Sequence, residues 1–67
     1  MAVAKVTEIT SSSTESFEDA IKQGIARADK TLNGIKGAWV QQQTLDCDGG
    51  KIKEYRVNMK VTFVLND

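Results

Sequence analysis

Tyr55-Arg56-Val57-Asn58-Met59-Lys60-Val61-Thr62-Phe63-Val64-Leu65 decides the fold of this chain. Every odd position is apolar: Tyr55, Val57, Met59, Val61, Phe63 and Leu65. Arg56, Asn58, Lys60, Thr62 and Val64 fall between them, polar except for the last. That is a period of two, so one strand carries an apolar face and a polar face. Strands average about five to six residues, so this one is long. Just upstream, Asp48-Gly49-Gly50 predicts a tight hairpin turn. The partner strand is therefore the stretch before it, residues 35–47.

Further upstream the period changes. Phe17, Ala20, Ile21, Ile25, Ala28 and Leu32 recur at helical spacing, with Gly24 in the same stripe. The spacing predicts a helix from Thr14 to Leu32. Ser12 with Glu15 has capping-box spacing, and Ser13 is an equally good N-cap. Glu15, Glu18 and Asp19 put negative charge where the helix dipole favours it. Asn33-Gly34 stops the helix. Gly24 costs the helix about 1 kcal/mol against alanine, which points to close approach of something beneath it. Residues 3–10, rich in β-branched side chains, read as a first strand.

The order is β-α-β-β, an α+β fold. A three-stranded antiparallel sheet wraps on one helix, in strand order 1-3-2. Strands 1 and 2 are parallel across a crossover, and the last strand lies between them. One helix covers one face of the sheet. The other face stays polar and both edges are open, which invites pairing between copies of the chain.

Composition narrows the function. The chain has 67 residues, enough for one domain. Domains below roughly 70–80 residues usually need a staple. The single cysteine, Cys47, makes no internal disulfide, and with no histidine the Cys/His zinc sites and histidine-based catalytic triads are excluded. Of the usual staples, association of identical chains is the one expected. Nine Lys+Arg balance nine Asp+Glu, so the net basic footprint of a nucleic-acid binder is missing. No apolar run is long enough to span a membrane. Met1-Ala2-Val3-Ala4-Lys5 lacks the layout of a signal peptide. A cytoplasmic protein is expected, with no nucleic acid and no membrane among its partners.

The candidate site residues lie on the last two strands. Trp39 is the one tryptophan; it either fills a core or subunit contact or stacks on a flat ligand. Simple alternation puts Gln41 and Gln43 on its face, as readers of a heterocycle's donors and acceptors or as a solvated strand surface. Arg56 suits a phosphate or carboxylate held bidentately, or a salt bridge between subunits. Asp46-Cys47-Asp48-Gly49-Gly50 resembles the start of a calcium loop but lacks its third acid and closing glutamate. A turn explains it, although a symmetric assembly multiplies Asp46 and Asp48 into a ring that suits calcium or magnesium. No pair of residues has the look of a general acid and base, so an enzyme is not expected.

Several stretches together resemble one family. Phe17-Glu18-Asp19-Ala20-Ile21, Ala26-Arg27-Ala28, Thr31-Leu32, Lys53-Glu54-Tyr55-Arg56-Val57 and Val61-Thr62-Phe63-Val64-Leu65 are similar, in that order, to the dodecins. The likeness covers essentially the whole chain. It implies a hollow homododecamer. It also implies flavin, as FMN or riboflavin, stacked in pairs between tryptophans of symmetry-related chains and hydrogen-bonded by a last-strand glutamine. The implied role is storage or sequestration of a reactive cofactor without catalysis; some members also bind coenzyme A. This sequence departs from the pattern at the ligand contacts. The usual tryptophan position falls on Gly37, Trp39 falls on the usual acidic position, and Arg56 replaces the glutamine. Two residues move the ring about 7 Å along the strand. The resemblance thus leaves two expectations. One is a storage protein binding a small planar or phosphate-bearing ligand through Trp39, Gly37, Gln41, Gln43 and Arg56. The other is a flavin-free shell with divalent cations at symmetry junctions.

Overall fold

Burial follows the alternation of the last strand. In the computed structural model, which describes residues 3–65, Val57, Met59 and Val61 are fully buried and Arg56, Asn58 and Lys60 are not. The elements run β1 (Ala4–Ser13), α1 (Phe17–Leu32), β2 (Ile35–Asp48) and β3 (Lys51–Val64). The sheet order is β1-β3-β2, with β3 antiparallel to both neighbours. The β-α-β-β order and the 1-3-2 arrangement are as the sequence predicts. The last strand begins at Lys51 instead of Tyr55 and closes at Val64, one residue before Leu65.

Helix α1 lies across β1 and β3. Ala20, Val57 and Met59 form the packed centre, with Ile9, Phe17, Ile21 and Ile25 against it. The Phe17 and Tyr55 rings meet edge to face, 5.2 Å between centroids and 79° apart. Gly24 sits where helix and sheet come closest. A β-carbon there would lie 2.8 Å from Ser11 Cβ and 3.0 Å from Met59 Cε. The glycine in the apolar stripe is thus a close-approach residue.

The helix start differs from expectation. Ser12 and Ser13 do not cap it. β1 continues through them to pair Ser13 with Tyr55, and the N-cap is Ser16, whose hydroxyl accepts the Asp19 N–H at 2.9 Å. Ser13 still serves the helix, since its Oγ accepts the Glu15 N–H at 2.9 Å and donates to Asp19 Oδ2 at 2.6 Å. At the other end Asn33 takes φ 57° and donates its N–H to the Asp29 carbonyl at 2.9 Å. Asp29 Oδ1 then accepts the N–H groups of Gly34 and Ile35, both at 3.0 Å, and so aims the chain into β2. The hairpin turn is Gly49-Gly50, at φ 58° and 78°. Two successive positive φ values are what a two-residue hairpin loop of matching twist requires.

The single chain is drawn out and thinly covered. Its extents are 52 × 19 × 13 Å and its radius of gyration is 13.8 Å, against about 11 Å for a compact domain of this length. It exposes 4867 Å², where a folded monomer of this mass exposes about 4,200 Å². Val40, Leu45 and Ile52 stay exposed because α1 packs mainly over β1 and β3.

Candidate functional site

Directly opposed residues of an antiparallel pair point to the same side of the sheet. On the side away from α1, β3 presents Glu54, Arg56, Asn58, Lys60 and Thr62. The register sets Gly37 opposite Thr62, Trp39 opposite Lys60, Gln42 opposite Asn58, Thr44 opposite Arg56 and Asp46 opposite Glu54. From β1, Glu8, Thr10 and Ser12 face Lys60, Asn58 and Arg56 in turn. Trp39 therefore lies on the open sheet face of edge strand β2, outside the core, with 49% of its surface exposed.

Two β-bulges decide what lies beside it. One falls between Ile35 and Gly37, the other between Val40 and Gln42. An extra residue in one strand reverses the alternation beyond it. Gln41 is the bulge residue. Gln43 falls opposite buried Val57, on the helix side. The expectation that Gln41 and Gln43 share the face of Trp39 is therefore corrected. Gln42 is the amide that shares it.

Lys60 stands beside the ring. Its Nζ lies 5.9 Å from the Trp39 ring centroid, within cation–aromatic range. Gly37 lies one step along the same face. Thr62 Oγ1 donates to the Gly37 carbonyl at 3.2 Å, and a β-carbon at position 37 would crowd that oxygen at the same distance. The absent side chain keeps this end of the face low. On the other side of the row, Asn58 Nδ2 donates to Glu8 Oε2 at 3.0 Å and to Thr10 Oγ1 at 3.1 Å. Its Oδ1 is buried without a partner among the described residues.

Arg56 is already engaged. Nη1 donates to Asp46 Oδ1 at 3.1 Å and Nη2 to Asp46 Oδ2, a bidentate pair within one chain. Glu54 Oε2 stands 3.8 Å from Nη2. Arg56, which the sequence offers as an anion holder or as a partner in an intersubunit salt bridge, makes a cross-strand pair inside the hairpin. Between the opposed carboxylates of Asp46 and Glu54, the guanidinium relieves their repulsion. Both oxygens of Asp46 are thus committed to a cation the chain supplies itself. Asp48 lies apart, exposed beside the turn and opposite Lys51. Among the described residues no three acidic, cysteine or histidine side chains gather where a metal ion would need them.

Sequence reasoning missed Lys60 and Gln42. Alternation along β3 places Lys60 on the face of Arg56. Nothing local shows which of three consecutive glutamines occupies the bulge.

The family model for dodecin matches residues 3–66. The chain belongs to the dodecin family. Solved structures agree. The dodecin from Streptomyces davaonensis is 33% identical with a TM-score of 0.94, over 98% of this chain and 97% of that one. An arginine-to-alanine mutant of the Thermus thermophilus dodecin is 33% identical with a TM-score of 0.94, over the whole of both chains. The calcium dodecin of Mycobacterium tuberculosis, described as a calcium-chelating antigen with a novel calcium-binding site, is 34% identical. Its TM-score is 0.82, over 96% of this chain and 91% of that one. No curated protein matches the sequence. Among the described residues no helix of this dodecin is long and apolar enough to cross a membrane.

Proposed function

We propose that residues 1–67 act as one dodecin unit that binds and stores a small planar ligand, FMN or riboflavin, without catalysis. Twelve copies close a hollow shell, and the ligand lies at the seams between them. A cytoplasmic location suits the exposed free thiol of Cys47. The observation that carries the reading is Trp39. A tryptophan half-exposed on an open sheet face, beside a glycine and a row of amides and hydroxyls, offers a ring for a second flat group. Val40 and Leu45, exposed on the helix side of β2, and Ile52 on the hairpin offer apolar contact to another copy.

The residues fit a planar ligand in kind. Trp39 supplies the stacking surface, Gly37 the clearance, and Gln42 a polar contact. Gln41 sits at the bulge beside this row, and Gln43 lies on the helix side of the sheet, away from the ring. Arg56 contributes by stiffening the hairpin while paired with Asp46.

The second reading is a flavin-free shell with calcium or magnesium at symmetry junctions, and it has the calcium-binding relative behind it. Asp46 does not fit that role, since Arg56 takes both its oxygens. Asp48 is the carboxylate left for such a junction.

Titration of riboflavin and FMN into the purified protein, read by quenching of flavin fluorescence, tests the first reading. Quenching is expected at micromolar protein. Trp39→Ala will weaken it by about tenfold or more, as loss of a stacked aromatic contact does, while size-exclusion chromatography still shows the assembly. Absence of quenching by the unaltered protein removes flavin storage.

A further inference from the structure

We propose that Lys60 makes the Trp39 site selective for anionic planar ligands over neutral ones, an inference that rests on the ligand-binding reading of Trp39. Charge on this face is unevenly committed. Arg56, the obvious anion holder in the sequence, is occupied by Asp46 with Glu54 alongside. Lys60 stands at the centre of the face, half-buried, and among the described residues no carboxylate lies within salt-bridge distance of it. Glu8 is its cross-strand neighbour on β1, but the Glu8 carboxylate turns to Asn58, 3.0 Å away. Among the described residues the ammonium is drawn to the Trp39 ring, 5.9 Å from its centroid.

That attraction sets up the discrimination. A flat ligand that stacks on Trp39 competes with Lys60 for the ring, or lies on the opposite face with the ammonium at its margin. A neutral ligand that displaces Lys60 forfeits the cation–aromatic contact and offers no charge in return. A ligand bearing a phosphate or carboxylate gives the freed ammonium a charge-assisted hydrogen bond. The four-carbon stem lets Lys60 swing from ring to anion without moving the strand. Gln42, being neutral, adds a polar contact for either ligand and does not discriminate. Lys60 is thus a specificity-determining residue, and the ligand class is an aromatic ring system carrying negative charge.

Riboflavin and FMN, which differ by one phosphate, are the probes. At low salt FMN should bind the assembled protein about tenfold more tightly than riboflavin. The gap should narrow as ionic strength rises, because a partly exposed ion pair is screened. Lys60→Gln should bring the two affinities within about twofold, by weakening FMN and slightly strengthening riboflavin, which no longer forfeits the cation–aromatic contact, whereas Lys60→Arg should keep the preference. Equal affinities in the unaltered protein, a gap indifferent to salt, or a preference that survives Lys60→Gln would overturn the assignment and leave the Trp39 site standing. Binding of neither flavin would remove the flavin reading and the selectivity with it.

Discussion

Gly24→Val will unfold or disassemble the protein under conditions where the unaltered chain is folded. A β-carbon at position 24 sits 2.8 Å from Ser11 Cβ and 3.1 Å from Ser11 Oγ. Ser11 Cβ is fixed to the backbone of β1, so it cannot swing aside. Met59 Cε, 3.0 Å away, belongs to a fully buried side chain with no free space. The helix must lift off the sheet, and the contacts of Ala20, Val57 and Met59 open with it. Overpacking of this kind costs about 1–3 kcal/mol, and branching at the β-carbon puts valine at the upper end or beyond. A chain of this length has a total stability of about 3–10 kcal/mol. Gly24→Ala sharpens the test. On an exposed helix face alanine would stabilise by about 1 kcal/mol. Here it should destabilise, because its single extra carbon already meets Ser11. Denaturant midpoints at matched protein concentration decide the matter, and a rise for Gly24→Ala would contradict the close approach.

Met59→Ala should cost about 2–5 kcal/mol per chain, the range for truncating a buried methionine. Met59 is fully buried between Ile9 on β1 and Val40 on β2, beneath the helix. Few other side chains can fill its space, since Ala20, Val57 and Val61 complete the fully covered apolar set. Met59→Leu keeps the volume and should cost less than about 1.5 kcal/mol. Melting curves for the two variants check the difference. A small effect for alanine would mean that the centre of the sheet is not where stability is held.

The reading of β3 from its alternation succeeds because burial on one face is a local consequence of a strict period. Gly49-Gly50 and Asn33-Gly34 are legible for the same reason, since each demands backbone angles few other residues adopt. The serine run is different. Ser12, Ser13 and Ser16 have equal capping chemistry, and the choice falls to Ser16 because β1 stays paired with β3 as far as Ser13. That pairing spans more than forty positions of sequence, so no local window contains it. The bulge at Gln41 was hidden in the same way. Three identical amides carry no mark of which one steps out of register, and the step moved the useful neighbour of Trp39 from Gln41 and Gln43 to Gln42. Arg56 and Asp46 were both visible as charged residues of a hairpin. Their mutual commitment depends on register and rotamer, which alternation does not contain, and it shifts the unclaimed positive charge to Lys60.

The central claim is that copies of this chain complete one another along edge strand β2, whose apolar side chains α1 leaves uncovered. Native mass spectrometry of the purified protein, taken through a dilution series, tests it most directly. The account predicts a closed assembly of twelve copies, about 89 kDa from a 7.4 kDa chain, that persists on dilution and melts at a temperature that falls as protein concentration falls. A folded 7.4 kDa species that melts cooperatively and independently of concentration would contradict it.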